Sequence, residues 1–111
     1  MDKIKKYQQA ILSILQEYAQ INPVNMKEVE NQIIIDNQNH HYQLMRVGWD
    51  KEEFVHDSVM HFDIKDEKVW IQCNWTEIDV AEELLEKGVD RQDIVLGFIP
   101  VEERKYTGYA A

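Results

Sequence analysis

Hydrophobic side chains recur every three or four residues between Lys3 and Ala19, where Ile4, Tyr7, Ile11, Leu12, Ile14, Leu15 and Tyr18 form one stripe and the lysines fall outside it. That period predicts an amphipathic helix with one face on the core. Asn22-Pro23 is expected to stop it, because a proline ring disfavours helical backbone at the preceding residue. After a polar connection the pattern changes to short apolar runs: Gln32 to Asp36, His41 to Trp49, Phe54 to Ile64 and Lys68 to Cys73. Turn-rich Asp36 to Asn39, Asp50 to Glu53 and Asp66-Glu67 separate them. Runs of this length with short connections predict strands joined as antiparallel hairpins.

Alternation within these runs assigns faces, unless a one-residue bulge inverts them. Tyr42, Leu44 and Arg46 oppose Gln43, Met45, Val47 and Trp49; Val55, Val59 and His61 oppose Met60, Phe62 and Ile64. Both faces carry apolar side chains. Such a sheet is covered either by helices on both sides or by helices on one side and another molecule on the other, so a homodimer is among the expected assemblies.

A second helix is expected over 76–87. Thr76 is placed to cap it, Asp79 takes the reciprocal position, and Ile78, Ala81, Leu84 and Leu85 form its buried stripe before Gly88 ends it. Ile94 to Phe98 reads as a buried strand and Pro100 to Tyr109 as a short terminal helix. The fold class is therefore α+β: one domain over residues 1–111 with a mostly antiparallel sheet of four to five strands, an N-terminal helix, the 76–87 helix and a short C-terminal helix.

Composition narrows the partners more than the fold. At 111 residues with 44% hydrophobic and 30% charged side chains, the chain suits one ordered core. It has no long apolar segment, and the N-terminus turns amphipathic at once, so a cytoplasmic protein with no membrane contact is expected. The lone Cys73 fits a reducing compartment and is expected as a small packed side chain. Acidic residues outnumber basic ones 21 to 12, for a net charge of -9. That balance disfavours autonomous DNA binding, which needs cations to neutralise phosphates. From Thr76 to Glu103 nine acids face only Lys87 and Arg91, a balance of -7. This is either a solvated face or a docking surface for a basic partner; in the second case Glu82, Glu83 and Glu86 are interface candidates, with Arg104 and Tyr106 as anchoring side chains. Arg104 and Tyr106 serve equally well to fix the terminal helix to the body.

Candidate chemistry is sparse. His40, His41, His56 and His61 lack the usual helical or knuckle spacings of metal ligands, and no metal or cofactor is assigned. Asp50, Asp63 and Lys65 loosely imitate the acid and acid-x-Lys pattern of metal-dependent nucleases, but no strand pairing brings Asp50 to Asp63. No serine sits on a glycine-flanked elbow, and no glycine-rich loop is present to cradle phosphate. Trp49, Trp70 and Trp75 are better read as packing in the core or at an interface than as base-stacking platforms. The enzyme-like alternative is a small-ligand pocket between sheet and helices, lined by His56, His61, Asp63 and Trp70.

The ordered blocks Tyr42-Gln-Leu-Met-Arg46-Val-Gly-Trp49, His61-Phe-Asp-Ile64, Lys68-Val-Trp-Ile-Gln72, Thr76-Glu77, Gly88-Val, Asp93-Ile-Val-Leu-Gly-Phe98 and Arg104-Lys-Tyr-Thr107 resemble the XisI family, the cyanobacterial fdxN-element excision controlling factors. The resemblance covers nearly the whole chain. It implies a non-catalytic accessory protein that works with a companion, XisH, of nuclease-like fold, in DNA element excision during heterocyst development. It supplies no catalytic residues to carry over.

Overall fold

The computed structural model of the chain describes residues 2–21 and 27–111. The expected helix stop at Asn22-Pro23 lies outside the described residues. In chain order the elements are α1 (Lys3–Ala19), β1 (Val29–Asp36), β2 (His41–Asp50), β3 (Glu53–Lys65), β4 (Lys68–Asn74), α2 (Val80–Glu86), a 3-10 turn (Arg91–Asp93), β5 (Ile94–Leu96) and a 3-10 segment (Val101–Tyr106). The strands form one sheet in sequence order. β1 to β4 pair antiparallel in succession, whereas β5 joins β4 in parallel, with α2 in the connection that a parallel neighbour requires. The architecture is α+β.

α1 buries the expected stripe, including Tyr7, Ile11, Ile14, Leu15 and Tyr18. These side chains join Tyr42, Leu44, Met60, Phe62, Val69 and Ile71 from the sheet and Val80, Ala81 and Leu84 from α2 in one apolar cluster. The Asp2 carboxylate caps the first turn by accepting from the Ile4 amide. At the other end, the Asn31 side-chain amide on β1 donates to the carbonyls of Ala19 and Ile21, so the close of the helix is tied to the sheet.

Two irregularities decide which side chains leave this core. Leu44 pairs with Met60 while Met45 pairs with Ser58, so Val59 is an extra residue on β3. His61 pairs with Cys73 while Phe62 pairs with Ile71, so Gln72 is an extra residue on β4. The first bulge overturns the expected grouping of Val55, Val59 and His61: Val59 turns into the core, and His61 points to the face away from α1.

The second helix also starts later than expected. Asn74 Oδ1 accepts from both the amide and the hydroxyl of Thr76, and Thr76 Oγ1 accepts from the Ile78 amide, which holds 74–78 in a turn. Asp79 takes the cap instead, accepting from the Glu82 amide. Ile78 is consequently exposed, and Val80 replaces it in the buried stripe. The terminal segment is 3-10 rather than α-helical.

Tyr7 illustrates how α1 is pinned laterally. Its hydroxyl donates to Asp93, and the Lys3 ammonium reaches the same carboxylate at 2.8 Å. Burial, followed by the bond to Asp93, pushes the Tyr7 hydroxyl up to about 12. Partial burial pushes Asp93 up, but the bonds from Lys3 and Tyr7 outweigh it and hold the carboxyl below the usual range. The Asp93 contribution to stability is therefore complete above the unfolded carboxyl value near ~4 and is lost as pH falls through the lower folded value. The Tyr7 contribution is complete below its unfolded value near ~10 and is lost as pH rises through about 12. Tyr7→Phe should lower stability at neutral pH by roughly 1.5–3 kcal/mol, the usual worth of a hydrogen bond to a charged group, and flatten the acid limb of the stability curve. Urea unfolding between pH 3 and 7 checks this; an unchanged midpoint at every pH would show that the bond contributes nothing.

Candidate functional site on the open face of the sheet

α1 covers one face of the sheet. Across the other face, the register sets His41, Asp63 and Trp70 in one row and Gln43, His61 and Cys73 in the next. Each alternates along its strand with core side chains such as Tyr42, Phe62 and Ile71, which explains why the polar members stay out of the core. Of the residues expected to line a pocket between sheet and helices, His61, Asp63 and Trp70 stand on this opposite face. The space beneath α1 is filled by apolar side chains.

Asp63 is the hub of the cluster. Its Oδ1 is 2.7 Å from His41 Nδ1 and 2.8 Å from His61 Nε2, while Oδ2 accepts from the Gln72 amide at 3.1 Å. Partial burial pushes Asp63 up, but the bonds from His41, Gln72 and His61 together outweigh it and hold the carboxyl below its ordinary range. The bond to Asp63, opposed by slight desolvation and reinforced by the charges of Asp63 and Asp36, raises His41. Gly97 lies against Gln72: a Cβ there would come within 2.3 Å of the Gln72 side-chain oxygen, and its amide donates to the Ile71 carbonyl. The blocks Lys68 to Gln72 and Asp93 to Phe98 thus meet behind Asp63.

Of the four histidines scattered in the sequence, His40 and His56 stand apart, while His41 and His61 converge on Asp63. His41, His61 and Asp63 each offer one donor atom, and the three atoms lie within 4.8 Å of one another. Linear spacing hid this group, because it depends on the cross-strand pairing of 41 with 63 and the alternation of 61 with 63. His40 stands in the turn before β2 with φ +62° and turns its ring toward Gln8 and Tyr42. Asp50 pairs with Glu53 at the far end of the β2–β3 hairpin from Asp63, so the nuclease-like trio does not assemble.

His56 sits away from this cluster, in the first half of β3 opposite Val47. A cleft of about 700 Å³ opens there, with Arg46, His56, Ser58, Cys73 and Trp75 among its lining. Cys73 is half-buried rather than packed away, its thiol directed at the Ser58 carbonyl and hydroxyl. Trp75 is 81% exposed and Trp49 53%, so neither packs in the core of this chain. Trp49 stacks at a tilt on Phe54, with 5.2 Å between ring centroids.

On β4, between β3 and β5, Trp70 accepts two cations, Lys65 at 4.8 Å and Arg104 at 5.1 Å from its ring centre. Arg104 also donates to the carbonyls of Ile99 and Gly97, so it fastens the 3-10 segment to the sheet. Tyr106 is 78% exposed and has Lys105 over its ring. On α2, Glu82 and Glu86 are exposed and Glu83 is half-buried. Burial and then the charges of Glu86 and Glu17 push Glu83 up, against the pull of Lys87. Lys87 itself is engaged at 3.0 Å by Glu17 of α1. The helix therefore presents a crowded acidic surface whose nearest cation is already paired. Among the described residues no helix is long and apolar enough to cross a membrane.

Comparison with known proteins places the whole architecture. A crystal structure of a XisI-like protein from Anabaena variabilis ATCC 29413 superposes with a TM-score of 0.88 at 41% identity, covering 99% of this chain and 99% of that one. The fdxN element excision controlling factor XisI from the same organism superposes with a TM-score of 0.83 at 29% identity over 98% of each chain. No curated protein matches the sequence. The XisI protein family matches residues 1–111, and the chain belongs to that family.

Proposed function

We propose that this chain is a non-catalytic accessory protein that controls a DNA-processing enzyme by binding a companion of XisH type. The observation that carries the reading is the acidic surface of α2. Glu82, Glu83 and Glu86 share it with Glu17, and Lys87 at the end of the helix is held by Glu17. Like charges held together cost free energy in the free protein, and a basic surface brought against them relieves that cost. DNA-handling proteins carry such basic surfaces. A net charge of -9 makes the chain a poor direct ligand for DNA and a good one for a DNA-binding protein. The relative of 29% identity is itself described as an excision controlling factor.

In this reading the companion docks on α2, with Tyr106 as an exposed aromatic side chain available to it, while Arg104 shapes the terminal segment through Trp70. The companion's DNA cleft is the surface that the acidic segment faces, so the chain steers or shields access to DNA. Co-expression with a XisH-like protein tests this directly. The expected result is co-elution of the two chains at moderate salt and altered DNA processing by the companion when this chain is added. Separate elution with unaltered processing would overturn the reading.

A further inference from the structure

We propose that His41, His61 and Asp63 form an open binding site for a divalent transition metal of the zinc class. The three residues come from adjacent strands rather than loops, and their donor atoms already converge within 4.8 Å. Two imidazole nitrogens and one carboxylate oxygen suit zinc, nickel, copper or ferrous iron, whereas magnesium and calcium favour all-oxygen shells.

Both histidines direct a nitrogen at the same carboxylate oxygen, at 2.7 and 2.8 Å. A cation bound to all three takes the place of the hydrogens now shared along those two lines. Metal–ligand bonds of about 2.0–2.2 Å at tetrahedral angles set donor atoms roughly 3.4 Å apart. The His41 and His61 nitrogens, now 2.7 and 2.8 Å from Asp63 Oδ1, reach that spacing by moving roughly 0.6–0.7 Å away from it and settling at the same distance from each other. His41 is exposed on the sheet surface and has room to do so. Gln72 completes the arrangement from outside: its amide holds Asp63 Oδ2, which leaves Oδ1 to the metal, and a support of this kind orients ligands in metal sites. Gly97 in turn leaves the space that Gln72 occupies. With three protein ligands on a solvent-facing surface, the remaining coordination positions stay open to water or to a group from another molecule.

Calorimetric titration of the full, tag-free chain with zinc chloride tests the site, with cobalt(II) absorption reporting the coordination geometry. One equivalent should bind, and His41→Ala, His61→Ala and Asp63→Asn should each weaken binding roughly tenfold or more. His41→Ala alters an exposed side chain, so its fold should persist, which circular dichroism verifies. His40→Asn, whose ring points toward α1 and whose turn accepts asparagine, should bind as the parent does. Absence of saturable binding, or binding that survives His41→Ala and His61→Ala, would overturn the proposal. Binding lost only in Cys73→Ser would do so as well, by assigning the metal to the thiol.

Discussion

Gly48→Ala should cost the fold roughly 3–5 kcal/mol, a large share of what a domain of this size holds in reserve. Gly48 lies within the Arg46-Val-Gly-Trp49 block in the middle of three paired strands, opposite Val29 on β1 and Val55 on β3. Its φ is +145°, and an added Cβ would fall 2.2 Å from the Glu28 carbonyl oxygen and 2.9 Å from the Val29 Cα. Backbone atoms, not a pliable side-chain tip, occupy that space. The alanine therefore meets both a strained conformation and a clash that only separation of β1 from β2 relieves. That separation would expose Val29 and loosen the strand that carries Asn31 to the end of α1. Urea unfolding measures the change; a loss below about 1 kcal/mol would mean that β1 yields at little cost.

Replacing Glu82, Glu83 and Glu86 together by lysine should weaken binding to the companion about tenfold or more at low salt, with the gap closing as ionic strength rises. Glu82 and Glu86 are exposed, so the core beneath them is untouched. Glu82 and Glu83 lie in the first turn of α2, where carboxylates complement the helix dipole, so a stability loss of about 1 kcal/mol is expected as well. Thermal melting separates that loss from the change in affinity. Unaltered binding by a folded triple variant would remove α2 from the interface.

How much of this was legible in sequence follows from which interactions are local. The period of Ile4, Tyr7, Ile11, Leu15 and Tyr18 located α1, with the bounds the structure has. The short connections located the hairpins, because a two-residue link such as Asp66-Glu67 leaves antiparallel pairing as the only reach. Both of those residues adopt positive φ, a turn conformation their side chains do not announce. The bulges at Val59 and Gln72 were not legible, since an extra residue reveals itself only against its partner strand. They are what send His61 to the open face and bring Gln72 to Asp63. The onset of α2 was misplaced for a related reason: Thr76 and Asp79 are both competent caps, and Asn74 decides between them by capturing Thr76. The convergence of His41, His61 and Asp63 rests on register across β2 and β3, which no spacing along the chain encodes. The acidic segment, by contrast, was plain from composition, and the structure adds that Glu17 from α1 reinforces it.

The most direct measurement of the central claim is recovery of the tagged chain from its native host at moderate salt, followed by mass spectrometry of what remains bound. The account predicts a XisH-like, nuclease-fold protein in stoichiometric amount, lost when Glu82, Glu83 and Glu86 are reversed. Recovery of the chain alone, or of partners indifferent to that reversal, would contradict it.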